Sequence, residues 1–377
     1  MEDVFITGDH IISPLGNTSL ENFSRIMHNE SGIQLHHSPD IHETSFYSSL
    51  IDEETVSEIK KRIKNSDKFT RLENLIIYSI QTLIESNSIP LDDKTLLILS
   101  STKGNISLQG RNTQFPGERV YLSVMGQVIQ DYFKHRNSVV IISNACISGS
   151  LAISVARDLL QSPQYERAIV IGADEISKFI FSGFSSFQAV SPEPCRPFDS
   201  DRSGVTLGEA VASVYLSKKP KEGAFLIEGV GSFNDANHIS GPSRTGEGLY
   251  RSIEQAFKDS ENPDPGFISA HGTATLYNDE MESIAFGRAN LLDIPVNSFK
   301  GYYGHTLGAS GILETILSIH SLHNQMLIKS MGYFQQGTSQ ALNIIKENSE
   351  SNIKSFLKTA SGFGGSNIAT LFTKYNS

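Results

Sequence analysis

The sequence predicts an α/β fold with parallel sheets covered on both faces, built as two similar halves. Three observations carry this. Short apolar runs such as Leu96-Leu97-Ile98-Leu99 and Ala168-Ile169-Val170-Ile171 lack polar alternation, as strands buried on both faces do. Stretches of helical periodicity alternate with these runs. After the polar segment 217–223 the order of elements restarts, echoing the first half in sequence of elements though not in letters. The expected division is 1–220 and 221–377.

Taken in order, Val4-Phe5-Ile6-Thr7-Gly8 reads as an opening strand ending in a turn. Ser13-Pro14-Leu15-Gly16-Asn17 is a loop, and Ser19 is expected to cap a helix running from Leu20. Residues 35–55 are polar and irregular. Residues 58–86 are helical in pattern, with Leu72, Leu75, Ile76, Ile80 and Leu83 on one face. Further strands are expected at 96–99, 138–142, 167–172 and 211–216, then at 225–231 and 266–270. A helix is expected at 312–322.

Composition narrows the function classes. At roughly 150 residues per domain, the chain has room for two or three domains or one large duplicated fold. Of the 377 residues, 38% are hydrophobic and 19% charged, the profile of a globular protein. The formal net charge of −10 argues against nucleic acid as a partner of the whole chain. The acidic start Met1-Glu2-Asp3 is not a secretory signal, and the uncharged run between Arg136 and Arg157 is too polar to span a bilayer. A cytoplasmic location is expected. Only two cysteines occur, Cys146 and Cys195, which excludes a disulfide framework or a multi-cysteine zinc site.

Four segments are candidates for chemistry. In Asn144-Ala145-Cys146-Ile147-Ser148-Gly149-Ser150 an apolar strand runs into a cysteine and small residues open a helix. A thiol at a helix N-terminus is expected to have a lowered pKa and backbone N–H groups available for an oxyanion. A buried cysteine in a core turn has the same pattern. Cys195, in a proline-rich loop, reads as structural. The second segment is Ala270-His271-Gly272-Thr273-Ala274-Thr275, with Asp279 and Glu282 on the next helix. The third runs from Asn297 through Lys300 and Gly304-His305 to Gly311. Two histidines beside glycines at strand ends suggest a shared site, and no HxxxH or CxxC spacing accompanies them as a zinc site would require. The fourth, Gly362-Phe363-Gly364-Gly365-Ser366-Asn367, is a bend or a phosphate loop; it lacks the lysine and helix of a P-loop.

Together these segments resemble the β-ketoacyl-acyl-carrier-protein synthases of the elongating type, over nearly the whole length and in the family's order. Further matches are Thr7-Gly8-Asp9-His10 with Ser13-Pro14-Leu15-Gly16, Arg196-Pro197-Phe198-Asp199 with Arg202, Gly204, Gly208 and Glu209, and residues 235–242. The resemblance implies a thiolase-like fold: two pseudo-repeated βαβ-rich halves in α-β-α-β-α layers, the first carrying the nucleophile and the second the histidines and lysine. It also implies a decarboxylative Claisen condensation of an acyl thioester with a malonyl thioester. Cys146 would be the nucleophile, with His271 and His305 as neutral donors to the enolate. Lys300 would be a fixed charge held by Glu314, and Asp279 a supporting acid. Backbone N–H groups of Cys146 and Phe363 would form the oxyanion hole, with Phe363 as a gate. Thr273, Thr275 and Ser240 would line the pantetheine arm. No cofactor or metal is implied, since substrates ride on the phosphopantetheine of an acyl carrier protein.

Lys60, Lys61, Arg62, Lys64 and Lys68 cluster before a helix starting near Phe69, about where the family docks its acidic carrier; a solvated helix face reads the same way. A homodimer is implied, and a heterodimer with a homologous ketosynthase-like subunit is the variant. The chain is shorter than typical members between Leu99 and Ser138. His10 replaces a usual glycine, and Ser361 stands where a phenylalanine often precedes the terminal glycines. These departures leave acyl length and starter open, including an aryl-polyene-type pathway. They also motivate an alternative, a chain-length-determining partner subunit, although such subunits usually lack the nucleophile. A thiolase is disfavoured because no cysteine follows Cys195.

Overall fold

A computed structural model describes residues 2–235, 237 and 241–375. Ten strands build the frame. The first five are β1 (Phe5–Ile12), β2 (Thr95–Ser100), β3 (Val140–Ile142), β4 (Arg167–Asp174) and β5 (Ala210–Ser217). The second five are β6 (Phe225–Asn234), β7 (Phe267–Ser269), β8 (Val296–Asn297), β9 (Ser355–Gly362) and β10 (Ser366–Lys374). Their spatial orders are β3-β2-β4-β5-β1 and β8-β7-β9-β10-β6, the same plan twice. Strand directions repeat as well: the fifth strand of each set runs antiparallel to its two neighbours, the first and the fourth, while the fourth, second and third run parallel. The two sets meet where β1 pairs with β6, Phe5 opposite Leu226 and Ile6 opposite Phe225.

Six helices matter for the site: α1 (Arg71–Asn87), α2 (Ser148–Leu160), α3 (Lys178–Ser186), α4 (Glu247–Lys258), α5 (Leu276–Arg288) and α6 (Ser310–His323). Helix α1 covers β1, β4 and β5 from outside; α4 covers β6 and β10, with α5 beside it. Helices α2 and α6 pack on each other in the middle and touch strands of both halves. The result is the α-β-α-β-α layering of the thiolase-like fold. Strand side chains explain why the layers hold. On β2, Leu96 and Ile98 join the central core while Leu97 and Leu99 join the outer one. On β10, Ile368 and Phe372 face the centre while Ala369 and Leu371 face outward. An alternation of period two with apolar residues on both faces gives the uninterrupted runs seen in the sequence.

The central helices approach closely at their N-termini because glycines lie there. A Cβ on Gly149 would sit 2.8 Å from the Gly308 carbonyl oxygen, and one on Gly311 would sit 2.4 Å from the Ser150 nitrogen. This crossing places the residues just before α2 beside those just before α6.

Four expectations need correction. The sheet is mixed and not parallel, because each half brings its first, fifth and fourth strands together as antiparallel neighbours. Residues 35–55 are not wholly irregular: Gln34–His36 and Phe46–Ser49 pair as antiparallel strands. Residues 58–86 are not one helix: a helix over Glu53–Lys61 ends, and α1 starts afresh at Arg71. Asn65 adopts the left-handed conformation at φ 57°. The Thr70 hydroxyl and Glu73 carboxylate form a reciprocal capping box that fixes the new start. The first helix is capped by Thr18, whose hydroxyl accepts the Glu21 N–H, and Ser19 is already helical. Among the described residues, no helix is long and apolar enough to cross a membrane.

Candidate active site

Cys146 lies at the turn from β3 into α2. Ala145 before it is held at φ 44°, an unusual state for a residue with a side chain. Ser148 secures the turn: its hydroxyl accepts the Asn144 N–H at 2.7 Å and donates to the Ala145 carbonyl at 2.6 Å. His271 follows β7. Glu282 of α5 accepts the backbone N–H groups of His271 at 2.8 Å and Gly272 at 2.6 Å, and so fixes that turn. Gly272 has φ +40°, and a Cβ there would meet the Ser298 side chain at 2.6 Å. His305 precedes α6, and its N–H donates to the Thr206 carbonyl at 2.7 Å.

These three turns converge. The Cys146 sulfur and ring nitrogens of His271 and His305 lie within 4.8 Å of one another. The imidazoles meet edge to face, centroids 5.2 Å apart and planes at 86°. The Lys300 ammonium is 3.4 Å from His271 Nδ1 and 2.6 Å from Glu314 Oε1. As an ammonium can only donate, His271 Nδ1 accepts and Nε2 carries the proton. His305 Nδ1 accepts the Leu307 N–H at 3.4 Å and lies 2.9 Å from the Ser310 hydroxyl. That assigns its proton to Nε2 too, a buried atom with no hydrogen-bond partner among the described residues. Both rings therefore present an N–H near the sulfur. A metal bound there would need the Nε2 lone pairs and would force Nδ1 protons against existing donors. The trio is better suited to donating hydrogen bonds than to ligating an ion.

Burial holds both imidazoles well below their usual pKa, and the charges of Lys300 and Lys358 push further the same way. They are neutral at pH 7. The Cys146 thiol contradicts the sequence-based expectation of a lowered pKa. Burial pushes it up to about 11, with Lys300 and the Phe363 N–H only partly opposing. Its sulfur is largely cut off from water, and α2 begins two residues further on, at Ser148. The resting group is a thiol. Alkylation of Cys146 by iodoacetamide should accordingly accelerate close to tenfold per pH unit from 7 to 10, read by peptide mass spectrometry. A plateau below pH 8 would show a stabilised thiolate instead.

A cavity of about 410 Å³ opens from this trio. Thr273 and Thr275 line it, their hydroxyls 2.9 Å apart. Phe363 also lines it, wedged between Phe184 at 5.5 Å and Phe187 at 5.3 Å. Ser240 lies outside the described residues. Asp279 is fully buried and does not line the cavity; it accepts the Phe198 N–H at 2.7 Å and the Ala274 N–H at 3.2 Å, bracing the His271 loop. Cys195 is buried away from the cavity, its thiol 3.2 Å from the Lys300 carbonyl. Lys60 and Lys61 end the helix over Glu53–Lys61. Arg62, Lys64 and Lys68 follow it, and none of the five lines the cavity.

Sequence reasoning leaves three groups without a role. Asp174 accepts the Thr102 N–H at 2.9 Å and the Gly308 N–H at 2.7 Å, joining the floor under both halves of the site. Glu282 stands out in the sequence only for its position on the helix. Lys358 is missed, although a lone charge inside Phe356-Leu357-Lys358-Thr359-Ala360, in the middle of a buried strand, is a readable signal.

The duplicated thiolase-like frame thus centres on a thiol, two N–H-bearing imidazoles and a buried ammonium. Residues 1–222 match the Beta-ketoacyl synthase, N-terminal domain family, and residues 224–333 match the Beta-ketoacyl synthase, C-terminal domain. The chain belongs to the beta-ketoacyl synthase family. It is 31% identical over 258 residues to the "3-oxoacyl-[acyl-carrier-protein] synthase homolog" of Saccharomyces cerevisiae, covering 62% of this chain and 58% of that protein. It is 32% identical over 251 residues to "3-oxoacyl-[acyl-carrier-protein] synthase 2" of Synechocystis sp., covering 61% and 60%. The match to the "Putative 3-oxoacyl-[acyl-carrier-protein] synthase, mitochondrial" of Schizosaccharomyces pombe spans 100% of both at 26% identity. Among solved structures, "The ishigamide ketosynthase/chain length factor" aligns over 100% of both chains, with TM-score 0.88 and 21% identity. A complex of a ketosynthase with its chain length factor from Xenorhabdus doucetiae gives a TM-score of 0.86 at 22% identity, over 99% of this chain and 98% of that one. At these identities the structural matches establish the fold.

Proposed function

We propose that this protein is a β-ketoacyl-[acyl-carrier-protein] synthase, an acyltransferase extending chains in fatty-acid or polyketide synthesis. The observation that carries the reading is the thiol facing two N–H donors within 4.8 Å. Relatives named 3-oxoacyl-[acyl-carrier-protein] synthase support it. In the first half-reaction the Cys146 sulfur bonds to the acyl carbon, the carrier's thioester bond breaks, and the thiol proton leaves on the carrier's thiol. N–H groups of Cys146 and Phe363 steady the oxyanion. In the second, a malonyl thioester loses carbon dioxide. His271 and His305 donate from Nε2 to the thioester oxygen as the enolate forms. The enolate carbon bonds to the acyl carbon, the acyl–sulfur bond breaks, and Cys146 recovers a proton from solvent. Neutral imidazole suits this step, because it stabilises an enolate without quenching it as a strong acid would.

Lys300, held by Glu314, fixes the His271 ring; Asp279 braces its loop. Thr273, Thr275 and Ser240 serve the pantetheine arm, and Phe363 divides the two substrates' paths. We read residues 1–220 and 221–377 as the two halves, working without cofactor or metal and in the cytoplasm, where an acyl carrier protein presents its substrates. Lys60, Lys61, Arg62, Lys64 and Lys68 are the carrier-docking surface; local positive charge is needed because the chain as a whole is acidic. The edge strand β3 pairs only with β2 among the described residues, and Val140, Ile141 and Ile142 are half-buried. Such an edge supports a second subunit, either another copy or a homologue.

The test is direct. Purified protein given acyl-carrier and malonyl-carrier should release carbon dioxide and form a 3-oxoacyl-carrier longer by two carbons, read by intact mass spectrometry across a panel of acyl groups. Product appearing only after addition of a homologous subunit carrying its own cysteine would assign this chain to the chain-length-determining role.

A further inference from the structure

The buried charge near the site is not one ion pair. Glu314 on α6 faces two ammonium groups, Lys300 at 2.6 Å from Oε1 and Lys358 at 2.6 Å from Oε2. All three side chains are essentially without solvent. The Lys358 contact joins charge attraction to a hydrogen bond on Glu314. Lys358 also donates to the Ser269 carbonyl at 3.1 Å and the Thr359 carbonyl at 2.7 Å, with the Ala270 carbonyl at 3.5 Å. Ser269 and Ala270 are the two residues before His271, and β9 carrying Lys358 leads into the Phe363 loop.

A carboxylate with one lysine is neutral; Glu314 with two leaves one net positive charge in a low-dielectric interior, offset only from a distance by Glu282. Unpaired buried charge is costly, and a lysine in a core strand could be an apolar residue at no loss of packing. Its energetic cost here is matched by its place behind the imidazoles.

We propose that Lys358 is a positioning residue for the condensation, clamping Glu314 against Lys300 and tying the backbone ahead of His271 to the strand that leads to Phe363. The proposal rests on the synthase reading for its effect on turnover, but not for its effect on the rings. Lys300 from the short helix Lys300–Tyr303 and the Cys146 thiol ahead of α2 meet the imidazoles directly; Glu314 from α6 and Lys358 from β9 stand behind Lys300, and Glu282 from α5 holds the His271 backbone N–H. Asp174, on β4, is anchored to the Gly308 N–H beside His305. Of these, Lys300 and Lys358 are the cations, and each disfavours a proton on either ring. Removing the Lys358 charge lets Glu314 neutralise Lys300 fully, so both rings bind protons more readily.

The experiment compares the full-length protein with Lys358→Met and with Lys358→Gln, which retains N–H donors for the Ser269 and Thr359 carbonyls. Nitrogen-15 imidazole spectra across pH read the rings without any turnover. The expected result is that both variants titrate His271 and His305 about one pH unit higher than wild type. In parallel, the acid limb of malonyl-carrier decarboxylation should move up by the same amount. The rate should fall about tenfold near the limb and much less at pH 8. Coincident ring titrations in wild type and Lys358→Gln overturn the proposal. So does a loss of rate that is equal at all pH and tracks a lower Tm, the mark of a packing role. A wild type that decarboxylates nothing would sink the synthase reading while leaving the ring titration to decide this one.

Discussion

Cys146→Ala is expected to abolish condensation, by about a thousandfold or more, the scale on which removal of a covalent nucleophile acts. The acyl adduct detected by mass spectrometry on the peptide carrying Cys146 should vanish with it. Malonyl-carrier decarboxylation should survive, because His271 and His305, the donors that stabilise the enolate, keep their places and their protons.

The reason is spatial: the two imidazole N–H groups come from the loops after β7 and before α6, so truncating the cysteine side chain leaves their placement unchanged. Rapid carbon dioxide release together with absent product is therefore the signature to look for. An adduct that moves to Cys195, or condensation that persists, would remove the thiol from the mechanism. The buried position of Cys195, away from the cavity, makes that second thiol a useful internal control.

His305→Ala and His271→Ala should have the opposite signature. Each removes one N–H donor aimed at developing negative charge, a loss worth about a hundred- to a thousandfold in rate. Decarboxylation and condensation should both fall by that factor, while transfer of the acyl group to Cys146 stays within a few-fold of wild type. The double variant should lose less than the product of the two single losses, because both rings serve one oxygen. Single-turnover measurement of acyl transfer beside carbon dioxide release separates the steps. Equal loss in both steps would make the rings supports for the thiol and not donors to the enolate.

Much of the frame can be read from letters alone. A strand buried on both faces needs apolar residues at every position, so β2 and β4 stand out, and their alternating allegiance to two cores is the physical reason. The nucleophile turn is legible because strand, cysteine and small residues lie in one continuous stretch. The thiol's protonation is not, since it depends on how completely other segments enclose the sulfur. The role of Lys358 is illegible for the same reason: its partner Glu314 is distant in sequence, and only the packing of α6 against β9 brings them together. The break before α1 turns on a cap at Thr70 and a left-handed Asn65, local features that the apolar stripe of the helix does not register.

The repeated strand plan has a consequence for how the site divides its labour. Cys146 follows the third strand of the first set and His305 the third strand of the second, each just ahead of the central helix of its own half. They stand at equivalent crossover junctions of one blueprint. Two identical half-length chains would have had to put the same residue at both junctions; fusing them into one gene product frees each junction to specialise, one as electron-pair donor and the other as proton-bearing ring. Neither half owns the reaction, and both bury side chains in the same central core, so cutting the chain between them should cost packing and chemistry together.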